Sequence, residues 1–152
     1  MKRLVFGFLA LAVTGPAAAA EVKAGDLIIR DPVIRAVAAG VANTAGYLTI
    51  ANAGAKSDKL VSVTCACAKS VEVHLSHVMN GTAMMMPSAP VDVPAGGQVS
   101  FAPGGYHLML VGLKAPLIED KPQMLIMKFQ HAGAVPVTFS VRTRIAVQAT
   151  KP

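Results

Sequence analysis

The sequence predicts an all-β domain closed as a Greek-key β-sandwich or barrel, and three observations carry that expectation. Apolar residues recur at every second position in short runs, turn residues separate the runs, and no stretch of comparable length shows an apolar stripe at helical spacing. The most regular run is C-terminal, where Val135, Val137, Phe139, Val141, Ile145 and Val147 alternate with Thr138, Ser140, Arg142 and Arg144. That is the pattern of a strand with one face buried and the other wet.

Other strands are expected at residues 27–30, 46–51, 59–65, 70–76, 98–102, 106–111 and 123–129. Between them stand the turn formers Asn52-Ala53-Gly54, Asn80-Gly81, Pro94-Ala95-Gly96-Gly97 and Pro103-Gly104-Gly105. About eight short strands with such punctuation close most naturally as a Greek key.

The first twenty residues place Lys2 and Arg3 before an apolar run from Leu4 to Val13, then a Gly-Pro break and a run of alanines before Glu21. This is the layout of a secretory signal, and the apolar run is too short to span a bilayer of ~30 Å. The expected organisation is a signal peptide at 1–20 and one domain at 21–152, exported to the periplasm and not inserted in a membrane. The signal supplies two of the formal charges of +6, and the rest are thinly spread. No basic cluster suggests nucleic acid.

Cys65 and Cys67 are the only cysteines, which is not the pattern of a disulfide-dense miniature fold. They continue the face of Val61 and Val63 and are expected as core-facing thiols. A disulfide between them is the alternative, near the upper limit of Cα spacing for residues two apart on an extended strand, and a thiol-exchange or metal role is a third.

Methionine is the anomaly. Five of the eight methionines and three of the four histidines lie between His74 and Met109. In the strand at 70–76, Val71, Val73 and Leu75 share the core face, which leaves Glu72 and His74 pointing away from it. In the strand at 106–111, Leu108 and Leu110 face the core, so His107 and Met109 project together from the other side. The segment from Met79 to Ala89 reads as a mobile, turn-rich stretch carrying Met84, Met85 and Met86. Met124 and Met127 are expected in the core, His77 and Met79 at the rim of the site, and His131 in a surface turn. Thioether and imidazole donors are soft and neutral and favour Cu(I), whereas Zn(II) prefers thiolate, imidazole and carboxylate, and Ca(II) requires oxygens.

The spacing of these residues is specific. His74, Met85, His107 and Met109, separated by ten, twenty-one and one residues, resemble the H-x10-M-x21-H-x-M signature of the periplasmic copper chaperone family called PCuAC. The stretches AGYLTIANAG, DKLVSVTC, VEVH, VPAGGQVSFAPGGYHLMLVGLKAPL and VPVTFSV are similar to that family as well. The resemblance implies a cupredoxin-like fold and one Cu(I) held by His74, Met85, His107 and Met109. It further implies delivery of that copper to the CuA centre of cytochrome c oxidase subunit II, alone or with a Sco-type thiol partner. The chain is expected to act as a monomer. The family usually reads Met-Lys-Met-Arg where this chain has Ala83-Met84-Met85-Met86-Pro87; spacing selects Met85, and Met84 or Met86 could replace it by a one-residue shift.

An electron-transfer cupredoxin requires a Cys thiolate beside two His, and here both cysteines precede every His. No Ser/His/Asp or Cys/His constellation supports an enzyme. The remaining alternatives are a periplasmic copper scavenging or tolerance protein and a β-sandwich interaction module without metal.

Overall fold

Hydrogen bonding between strands closes the sheet on itself. The computed structural model describes residues 21–145, so the expected signal peptide and Val147 lie outside the described residues. Eleven strands form: β1 Glu21–Ala24, β2 Leu27–Arg35, β3 Asn43–Asn52, β4 Asp58–Cys65, β5 Ala68–Met79, β6 Thr82–Pro87, β7 Val91–Val93, β8 Gln98–Phe101, β9 Tyr106–Leu113, β10 Gln123–Phe129 and β11 Gly133–Arg142. No helix is present among the described residues.

The ring runs β5-β9-β8-β3-β2-β11-β10-β4, and pairing of Val63 on β4 with Val71 on β5 closes it. Strand β3 changes partner along its length: residues Asn43 to Gly46 pair with β9, and Leu48 to Ala51 pair with β8. The fold is the expected cupredoxin-like Greek-key barrel, whose closure removes most of the exposed strand edges.

Inward residues of every wall fill the barrel. Ile29, Ile34, Ile50, Leu60, Leu108, Leu110, Leu125, Met127, Val137 and Phe139 are fully buried. Met127 is in the core as expected, but Met124 is exposed. It follows from parity: Met124 precedes Leu125 on a half-wet strand, so the two cannot share a face.

Three strands were not legible in the alternation (β1, β6 and β7), and β2 runs beyond its expected end at Arg30. At Asp31, with φ of 52°, an extra residue is accommodated between Arg30, paired with Thr49, and Val33, paired with Tyr47. This bulge tolerates Pro32 without breaking the strand. A second bulge skips Val61 between the Ser62 and Leu60 pairings with β10 and turns it to solvent. The terminal strand stops at Arg142 rather than running on through Ile145.

The cysteines pack against the core as expected, but as a disulfide and not as free thiols. Cys65 ends β4, the chain turns through Ala66, and a disulfide joins Cys65 to Cys67. The turn shortens their Cα separation to 5.1 Å, whereas a straight strand would hold residues two apart at about 6.7 Å.

Asp58, at the start of β4, ties that strand to the turn between β10 and β11. Its carboxylate accepts hydrogen bonds from the backbone N–H groups of Lys59, His131 and Ala132. Burial pushes the carboxyl up, but these three donors outweigh it and hold it below the usual range. His131 stands in an exposed surface turn, as its sequence context predicts.

Candidate metal centre

Two histidines meet on the outside of the barrel wall. Strands β5 and β9 pair antiparallel with His74 directly opposite His107, and Glu72 directly opposite Met109. Because side chains on paired positions share a face, these four project together, away from the interior face that carries Val73, Leu108 and Leu110. The sequence reading of these two strand faces therefore matches the structure.

The imidazoles stand with ring centroids 5.7 Å apart at an interplanar angle of 75°. Although both rings point outward, His107 is only 5% exposed and the His74 side chain 15%. Each ring has one nitrogen engaged. His107 Nδ1 donates to the carbonyl of Gly105 at 3.2 Å, and His74 Nε2 donates to the carboxylate of Glu72 at 2.8 Å. A carbonyl and a carboxylate only accept, so both protons are assigned to those nitrogens. His107 Nε2 and His74 Nδ1 are left as bare lone pairs, buried and without any hydrogen-bond partner.

Buried polar atoms without partners are rare and costly. Two of them on facing imidazoles, each ring oriented by a hydrogen bond behind it, form a donor pair of the kind that holds a metal ion. With a metal–nitrogen bond of ~2.0 Å, two rings sharing an ion between tetrahedral and linear angles stand roughly 5–6 Å apart at their centres, which matches the observed spacing.

The thioethers come from two directions. Met109 is half-buried beside the pair, on the strand that also carries His107, with the small Ala45 of β3 opposite it on its other side. Met85 comes from β6. The segment expected to be a mobile turn is instead a hairpin: Asn80 and Gly81, with φ of 53° and 77°, make its two-residue turn, and Met79 pairs with Thr82. An Asn-Gly pair with both φ positive matches the right-handed twist of the flanking strands, which is why a hairpin wins over a loop here.

Register then discriminates among the three methionines. Met85 lies opposite Ser76, whereas Met84 lies opposite His77 and Met86 opposite Leu75. Ser76 shares parity with Glu72 and His74, so Met85 is on the imidazole face and its neighbours are on the other. Met84 or Met86 could reach that face only through a one-residue slip of all of β6, which would flip every side chain of the strand and break the register set by the Asn80-Gly81 turn. Met85 is 60% exposed, at the corner of the site diagonal to Met109. Among the described residues no three His, Cys, Asp or Glu side chains gather into a metal-ligating group.

Glu72 and the Gly105 carbonyl, which set the ring tautomers, were not singled out from the sequence. Glu72 was legible in part, since it lies two residues before His74 on the same strand face.

Comparison with known proteins places this geometry. Residues 27–141 match the family model described as "Putative lipoprotein LpqE-like". The chain belongs to the LpqE-like family. A relative in Leifsonia xyli subsp. xyli, described as "Putative lipoprotein Lxx21020", is 33% identical over 106 residues, covering 69% of this chain and 64% of its own length. The chain thus spans under two thirds of that LpqE-like relative. Among solved structures, the apo PCuAC domain from PmoF1 superposes with a TM-score of 0.72 at 28% identity, covering 82% of this chain and 100% of that domain. The Cu(I) form of DR1885 from Deinococcus radiodurans gives 0.59 at 25% identity, covering 85% and 83%. This LpqE-like chain therefore has the fold of a PCuAC domain.

Proposed function

We propose that this chain is an exported, non-catalytic Cu(I) chaperone that holds one cuprous ion with His74, Met85, His107 and Met109 and passes it to the CuA centre of cytochrome c oxidase. The observation that carries the reading is the pair of buried, unpartnered imidazole nitrogens on facing strands, with thioethers on the same sheet face. The likeness to an apo PCuAC domain and to DR1885, solved with Cu(I), supports it.

The donor set explains the choice of ion. Two imidazoles and two thioethers are neutral and soft, so a monovalent d10 ion suits them better than Zn(II) or any hard cation. Thioethers need no deprotonation and are poor ligands once an acceptor offers thiolates, which makes release possible. Met85, on an edge strand and exposed, is the ligand an acceptor reaches first.

Two measurements test the proposal. Competition with a chromophoric Cu(I) chelator should give one tight Cu(I), with Zn(II) failing to displace it. Mixing the Cu(I) form with an apo CuA domain should then assemble that centre. Equal Zn(II) and Cu(I) affinities would overturn the soft site; tight binding without transfer would leave a scavenging role in place of delivery.

A further inference from the structure

The same hairpin carries a second set of soft donors on its other face. Beyond the Leu75–Tyr106 rung and the Ser76 N–H bond to the Gly105 carbonyl, β5 pairs only with β6, so the two strands project from the barrel wall as an arm. On the face opposite Met85, His77 lies directly across from Met84, and Met86 and Met79 occupy the rungs to either side. Directly opposed Cβ atoms stand about 5 Å apart and diagonal ones about 7 Å, within reach of long thioethers.

The three thioethers are exposed, Met79 by 51%, Met84 by 41% and Met86 by 50%. Neither an ion pair nor a hydrogen bond engages the His77 ring. Three exposed methionines on an edge hairpin carry a solubility and aggregation cost that a structural role would not require. Nor does the site on the other face use them, because strand parity turns them away from it.

We propose that this back face is a second Cu(I) site, in which His77 and Met84 are the principal ligands and Met86 and Met79 complete the set. With one imidazole in place of two, and with no hydrogen bond orienting that ring, it binds more weakly than the first. The arm thus presents thioethers on both faces, and the chain takes up two cuprous ions.

The test uses residues 21–152 with 13C-methyl methionine and anaerobic Cu(I). In the unaltered chain the first equivalent should shift the Met85 and Met109 methyl signals, and the second should shift Met84 and Met86. The variant His77→Ala/Met84→Leu/Met86→Leu should retain the first event and lose the second, taking the stoichiometry from two to one. The variant His107→Ala/Met109→Leu removes the other face, and one equivalent should still shift Met84 and Met86. This second background keeps the back-face result readable even if the first site proves to be something else. All altered side chains except His107 are solvent-facing or half-buried, and amide spectra check that the barrel is intact. If Met84 and Met86 stay unshifted through two equivalents in both the unaltered chain and the His107→Ala/Met109→Leu background, the proposal is wrong.

Discussion

The two halves of the candidate centre are built differently. His107 and Met109 sit on β9, which is bonded along its length to β5 on one side and, on the other, to β8 at Tyr106 and to β3 from Leu108 to Val111. Met85 sits on β6, an edge strand bonded only to β5 and exposed along its whole length. The first half is pre-positioned by a closed wall, with its imidazoles covered and their tautomers set by Glu72 and Gly105. The second is on an arm whose backbone hydrogen bonds are accessible to water, so it opens at lower cost. A carrier needs both: a fixed pair to define the ion, and a yielding ligand to let it go.

The sharpest way to break this comparison is to damage the fixed half. His107→Ala should lower Cu(I) affinity by more than the ~10–100-fold typical of losing a mere supporting contact to a ligand, because a direct donor disappears. Met109→Leu should also lose affinity strongly while keeping the melting temperature, since the side chain lies outside the core and the volumes match. Parent-like binding in either variant, read by chelator competition, would remove β9 from the site.

The yielding half should respond less. Met85→Leu should weaken the tight Cu(I) by roughly tenfold and speed its release, and neither Met84→Leu nor Met86→Leu should change that site, because strand parity turns both away. Rescue of Met85→Leu by a neighbouring methionine, seen as an unchanged affinity that collapses only in the triple replacement, would mean that β6 does not hold its register.

A smaller effect should follow from Glu72→Gln. The amide keeps a hydrogen bond to His74 Nε2 but removes the charge behind it, so Cu(I) affinity should fall by about tenfold or less with the fold unchanged. A larger loss than for Met85→Leu would make Glu72 more than an orienting group.

Asp58→Asn, whose carboxylate bonds Lys59 and the β10–β11 turn and none of the donor residues, should leave copper affinity untouched. Its carboxyl is held below the usual range, so its contribution to stability is present above the normal carboxylate pKa and disappears as pH falls through the lowered value. The variant should therefore be less stable by about 1–3 kcal/mol at neutral pH, and the difference should shrink in acid. Denaturant melts at neutral and acid pH measure it.

By itself the sequence determined the all-β class, six of the strand positions at nearly their observed extents, and the outward faces of His74, His107 and Met109. The reason is local: one residue in two faces the core, so an apolar alternation declares both the strand and its other face. It also determined the chemistry of the side chains on those faces, since imidazole and thioether are soft and neutral by residue type alone. Only the tertiary structure decided what depends on which strand lies beside which. Pairing of His74 with His107 across β5 and β9 buries two imidazole nitrogens that are separated by thirty-three positions in the chain. The Asn80-Gly81 turn turns an apparent loop into β6, and its register gives Met85 to one face and Met84 and Met86 to the other. Three consecutive methionines look equivalent in a sequence; a strand, paired in one register, makes them unlike, because adjacent side chains cannot point the same way.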